Sequence, residues 1–237
     1  MNIPHTTAFD KELKNQIPHL NNYPQMLPFI GNKWSEQSKK ILLLGESHYI
    51  VGDELKDLEK DNETHLTDWY NNTSDNFYEG LANYINTRRV VKIADNPAEE
   101  GFAKPLTIYY NLKKELKQYI PILKNENQIF SFFSYYNYFQ RPHFIEGGSV
   151  QNKEIDNEIA YKTLKVVTNI IKPALIIFVS TKAKQSFMAK FKIDIENSCF
   201  NNIVIDGVPH ASCAWWNRIS KAYGNRTGRE KFISLIS

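Results

Sequence analysis

Cysteine is scarce in this sequence. Cys199 and Cys213 are the only two, and neither stands in a paired spacing such as CxxC, which thiolate metal sites use. No disulfide framework is expected, and the usage fits a reducing compartment. Long hydrophobic runs are also missing. Nothing approaches the roughly 20 consecutive apolar residues that span a bilayer, and Met1 to Lys11 is polar, with no apolar signal core. The expectation is a cytoplasmic protein with no membrane partner. HExxH is absent, and no glycine follows Ser47 as the GxSxG elbow of hydrolases requires. There is no internal repeat and no low-complexity linker, so the 237 residues read as one domain, 1–237. A strong charge of either sign is lacking too. The formal net charge of +3 suits a nucleic-acid partner without demanding one, because a local patch matters more than the total.

The remaining composition is that of an ordinary globular chain, with 42% hydrophobic and 23% charged residues. Four prolines in the first 38 residues (Pro4, Pro18, Pro24 and Pro28) confine any helices there to short, interrupted pieces. Lys39 to Gly45 carries an unbroken apolar run entered by charge and closed by glycine, the pattern of a buried parallel strand. Strands are also predicted at Gln128–Ser134, leading into Tyr135-Tyr136-Asn137-Tyr138, at Ala174–Val179 and at Asn202–Asp206. Between them, residues 53–119 read as a mainly helical insertion whose last helix ends at Tyr119, ahead of Pro121. Apolar residues recur at helical spacing from Asn152 to Lys172. Ser180-Thr181 can cap a helix reaching Phe191, and a last helix is expected at about 229–236. Alternating strands and helices predict an α/β fold: a three-layer sandwich around a central, mostly parallel four-stranded sheet.

In such sheets ligands sit outside the carboxyl ends of the strands. The predicted strand ends carry a concentration of polar residues: Gly45-Glu46-Ser47-His48-Tyr49 after the first, Asn137 after the second, Ser180-Thr181-Lys182 after the third, and Val208-Pro209-His210-Ala211-Ser212 after the fourth. These converge on one rim, which is what a ligand site needs.

The order and spacing of these segments over roughly Ile41 to Arg218 resemble the uracil-DNA glycosylase superfamily. That family has a strand ending in a glycine-led motif (GQDPYH, GINPG or GEAPG), later an apolar strand with its helix, and then a strand ending in HPS. Glu46 falls at the glutamate of GEAPG, Tyr49 at the tyrosine of GQDPYH, and His210 and Ser212 at the ends of HPS. The resemblance implies DNA binding, base flipping and hydrolysis of an N-glycosidic bond, without cofactor or metal. Glu46 would orient water or the base as positive charge grows on the sugar, and His210 would donate a hydrogen bond to the departing base. Gly45, Ser47, His48, Tyr49, Asn137 and Ser212 would line the base or ligand pocket, with Asn137 reading the base edge. Trp215, Trp216 and Arg218, just past the histidine motif, would contact DNA, as the family's wedge loop does. The sequence departs from the family at Ser47, where GQDPYH has an aspartate, and at His48 and Ala211, where prolines stiffen both loops.

Other readings of the same residues stay open at this level. Glu46 could simply bond backbone amides at a strand end, His210 could satisfy a loop carbonyl, and the two tryptophans could be a buried pair beside a solvated basic end. The chain could be a non-catalytic nucleic-acid- or nucleobase-binding member of the same fold, or a small-molecule hydrolase unrelated to DNA.

Overall fold

The computed structural model describes residues 4–49, 69–71, 85–96, 106–142 and 150–237. Those residues form an α/β protein with a five-stranded, mixed, mostly parallel sheet flanked by helices. Of the helical insertion expected at 53–119, residues 69–71, 85–96 and 106–119 are described, and the rest lies outside the described residues.

The strands are β1 (Phe29–Ile30), β2 (Ile41–Gly45), β3 (Ser134–Asn137), β4 (Leu175–Phe178) and β5 (Val204–Gly207), in the spatial order β1-β3-β2-β4-β5. All neighbours pair in parallel except β1, which runs antiparallel to β3 at the edge. The sequence pattern predicts four strands; the fifth, β1, is two residues long, too short to show any periodicity. The strands at Ile41, Leu175 and Val204 lie where the apolar runs predict them. The second is displaced. Phe130–Phe132, inside the expected strand, is a 3-10 turn, and extended backbone begins only at Ser134. The reason is Asp95, whose buried carboxylate accepts the N–H groups of Ile129 and Phe130 at 2.9 and 3.0 Å and so holds the turn. The displacement puts Asn137 on the last residue of β3, in register with Gly45 on β2.

The helices are α1 (Asp10–Gln16), α2 (His19–Asn22), α3 (Thr87–Asp95), α4 (Thr107–Tyr119), α5 (Glu154–Ile171), α6 (Thr181–Phe191) and α7 (Gly228–Ile236). Their ends follow local chemistry. The Ser180 hydroxyl accepts from Ala183 N to cap α6, and a Thr227–Glu230 capping box opens α7. Lys172 closes α5 in the left-handed region, ahead of Pro173.

Period-2 alternation in the strands feeds two cores. Leu42, Leu44, Ile176 and Phe178 pack on one face with Leu13 of α1, Leu164 and Val167 of α5 and Phe187 of α6. Ile41, Leu43, Leu175 and Ile177 pack on the other with Val91 of α3, Leu112 and Leu116 of α4 and Phe232 of α7. β2 and β4 are buried along their whole length, as expected for parallel strands covered on both faces. The carboxyl ends of all four parallel strands therefore meet at one edge, around the end of β2. Among the described residues no helix is long and apolar enough to cross a membrane.

Candidate functional site

The rim is organised around Glu46, the first residue after β2. Its backbone is fixed from the β3 side, because Phe139 N donates to the Glu46 carbonyl at 2.9 Å and Tyr138 N to that of Gly45 at 3.0 Å. Its carboxylate reaches the β4 side, where it accepts from Ser180 Oγ at 2.6 Å and from Val150 N at 3.1 Å. Ser180 is also the N-cap of α6, so the carboxylate faces a helix N-terminus, whose dipole favours negative charge. The Lys182 ammonium donates to the carbonyl of Val150, the residue whose amide Glu46 accepts.

His210 lies beyond β5 on a loop tied down at several points. Val208 N donates to Phe178 O at 2.8 Å, Cys213 N to His210 O at 2.9 Å, and Asn111 Nδ2 of α4 to Ala211 O at 2.7 Å. Pro209 packs where Gly228 opens α7, and a Cβ at that glycine would lie 2.3 Å from the proline ring. The imidazole Nδ1 is 2.7 Å from Ser212 Oγ and 3.4 Å from Ser212 N. Burial lowers the His210 pKa, opposed by the nearby charge of Glu46. Burial thus favours the neutral form of the ring. Glu46, just after the central strand, and His210, following the edge strand, stand at the same edge of the sheet.

Asn137 completes the rim. It is 6% exposed, and its Oδ1 accepts from Tyr135 Oη at 3.1 Å, which leaves Nδ2 as the donor it can offer. Gly45 makes room for this pair: a Cβ there would stand 2.1 Å from Tyr135 Oη and 2.2 Å from Asn137 Oδ1. Tyr109 of α4 sits behind, its ring centroid 4.9 Å from that of Tyr135. Tyr49 belongs to the same neighbourhood; its phenol is pushed up to about 12, chiefly by burial and secondarily by the Glu46 charge.

The other sequence-predicted site residues are distributed unevenly. Ser47 is buried, beside the phenol of Tyr49. His48 is 6% exposed and bonded through Nε2 to Thr87 Oγ1 at 3.0 Å, at the start of α3; burial pulls its pKa down to about 4. It is a neutral core histidine joining β2 to α3. Side-chain hydrogen bonds hold both loops, from His48 to Thr87 and from Asn111 to the Ala211 carbonyl. Trp216, expected from the sequence to contact DNA, is instead 2% exposed and packs on Phe232 at 5.6 Å in the core. Trp215 is 52% exposed, and Arg218, Ile219, Lys221 and Arg226 are exposed after it.

Two residues outside the predicted strand-end segments support the site, Asn111 and Tyr135, and Ser180, one of the predicted strand-end residues, is the partner of Glu46. The sequence marks Ser180 as a strand-end residue and a helix cap, while its bond to Glu46 is a tertiary contact. Asn111 and Tyr135 carry no signal, since their partners are remote or alternate with them on one strand. Among the described residues no group of three or more His, Cys, Asp or Glu is arranged to hold a metal ion. A cleft of about 720 Å³ opens where β3 begins, lined in part by Lys33, Asp95, Lys113 and Glu126; its lysines are engaged by Asp95 and Glu126. No model of a known protein family matches the sequence, and no curated protein matches it either.

Proposed function

We propose that the rim at Glu46, Asn137 and His210 is the active site of a DNA N-glycosylase of the base-excision type, a divergent relative of the uracil-DNA glycosylase superfamily. The observation that carries this reading is the placement of a carboxylate and an imidazole, from distant parts of the chain, just beyond β2 and β5 at the carboxyl edge of one sheet. Hydrolysis breaks the bond between C1′ and the base nitrogen. The electron pair leaves with the base, positive charge develops on the sugar, and water adds at C1′ and gives up a proton, by way of Glu46, that ends on the departed base. Glu46 stabilises the sugar cation and accepts hydrogen bonding from the incoming water. His210, with Nδ1 facing Ser212, offers Nε2–H to the base as negative charge grows on it. Asn137 offers Nδ2 to the base edge. Trp215 and the exposed cations Arg218, Lys221 and Arg226 face the duplex next to the His210 loop.

One observation favours a second reading. Both oxygens of Glu46 already accept from protein donors, which suits a non-catalytic nucleobase- or nucleic-acid-binding member of the fold. End-labelled oligonucleotides carrying uracil, hypoxanthine, xanthine or a thymine mismatch, treated with alkali after incubation, separate the two. Cleavage at one lesion that is lost in Glu46→Ala and His210→Ala supports the enzyme. Salt-sensitive binding without cleavage supports the binding protein. Cleavage unaffected by either substitution refutes the site.

A further inference from the structure

We infer that Asn111, on helix α4 at the end of the insertion, is a positioning residue that fixes the tautomer of His210 through the intervening peptide plane. The proposal rests on the glycosylase reading for its catalytic meaning, but its geometry stands apart from it.

The argument starts from the Ala211–Ser212 peptide. It is trans, so its C=O and N–H point in opposite directions within one rigid plane. Asn111 Nδ2 holds the carbonyl oxygen from one side at 2.7 Å. The N–H of Ser212 is thereby aimed the other way, at His210 Nδ1, 3.4 Å distant.

The identity of the groups around Nδ1 then decides where the ring proton sits. Ser212 Oγ, at 2.7 Å, is indifferent, because a hydroxyl either donates or accepts. A backbone N–H only donates. With Nδ1 protonated, two N–H groups would face each other. With Nδ1 bare, both the amide and the hydroxyl donate to it. The amide breaks the tie, the proton resides on Nε2, and Nε2–H is the atom left to face a ligand. Rotating the peptide by releasing its carbonyl removes the tie-breaker.

Asn111 is well placed for this task. Ile108, Leu112 and Leu116 anchor α4 in the core, and half-buried Asn111 lies at the flank of that buried face, toward the histidine loop. The same helix supports the other half of the rim through Tyr109, packed on Tyr135. The insertion thus ends in a helix that sets the geometry of both halves.

The test is the imidazole long-range ¹H–¹⁵N correlation spectrum of the full-length protein at pH 7.5, with His210 resonances assigned by their loss in His210→Gln. The wild type is expected to show a single Nε2–H tautomer. Asn111→Asp, which keeps shape but loses the donor, and Asn111→Ala should both show a mixed population. Lys114→Ala, on the exposed face of the same helix, should keep the wild-type pattern. If the near-isosteric Asn111→Asp does not fold, Asn111→Ala decides. A wild-type spectrum in the folded Asn111 variants overturns the proposal, as does an Nδ1–H tautomer in the wild type. In the oligonucleotide assay kcat should fall about ten-fold or more at unchanged KM. A wild type with no turnover refutes the glycosylase reading alone, because the tautomer is read without substrate.

Discussion

Substituting Gly45 by alanine tests the packing that holds Asn137 in the rim. The new methyl group would lie 2.1 Å from Tyr135 Oη and 2.2 Å from Asn137 Oδ1, whereas real Cβ atoms essentially never come within 3.0 Å of a neighbour. Tyr135 is 2% exposed and backed by Tyr109, so its ring has no free space to enter. Overpacking of this kind costs about 1–3 kcal/mol. Separating Tyr135 from Asn137 loses a hydrogen bond worth about 1 kcal/mol more. Gly45→Ala should therefore lose about 2–4 kcal/mol in urea unfolding at unchanged m-value. Tyr135→Phe removes the closer of the two obstructing atoms. The double variant should accordingly be more stable than the two single losses added together, by about 1 kcal/mol. A Gly45→Ala protein within about 0.5 kcal/mol of wild type, or strictly additive losses, would refute the reasoning.

Three further expectations follow from the same geometry. His48 is neutral in the fold, with its pKa lowered from 6.5 to about 4 by burial, so its contribution is complete above pH 6.5 and is lost as pH falls towards 4. Acid unfolding of His48→Gln should lack about 3 kcal/mol of the wild-type loss across that window, and an unchanged pH slope would contradict the assignment. Ser180→Ala removes both the α6 cap and the donor to Glu46, so chemical denaturation should show a loss of about 2–3 kcal/mol; a loss confined to a few tenths would mean that neither bond matters. Trp216→Ala should cost about 3–5 kcal/mol as a core truncation. Trp215→Ala should leave the melting temperature nearly unchanged while weakening DNA binding in a salt titration, and equal effects on both properties in the two variants would argue against separate roles.

The comparison of sequence with structure turns on range. The strands at Ile41, Leu175 and Val204 were legible because buried parallel strands are continuous apolar runs bounded by charge, glycine or proline. The capped helices were legible because their start and stop signals lie within a few residues of one another. The strand ending in Asn137 was misplaced because Ile129 to Phe133 is equally apolar as a strand or a buried turn. The choice was made by Asp95, which the chain brings to Ile129 and Phe130 from a distant helix. The tryptophan pair was a similar case. Only the packing against Phe232 separates a core Trp216 from an exposed Trp215.

For the candidate site the division is sharper. Chain order alone determined that glycine-, glutamate- and histidine-bearing segments follow parallel strands, and the rule that such strands end on one edge determined that these segments share a rim. Tertiary structure decided what each side chain does there. It turned His48 into the core against Thr87, gave Glu46 the Ser180 hydroxyl, set Asn137 beside Gly45, and brought Asn111 to the carbonyl next to His210. The physical reason is that burial and hydrogen-bond direction are properties of neighbours in space. No single strand, helix or motif in the sequence contains them.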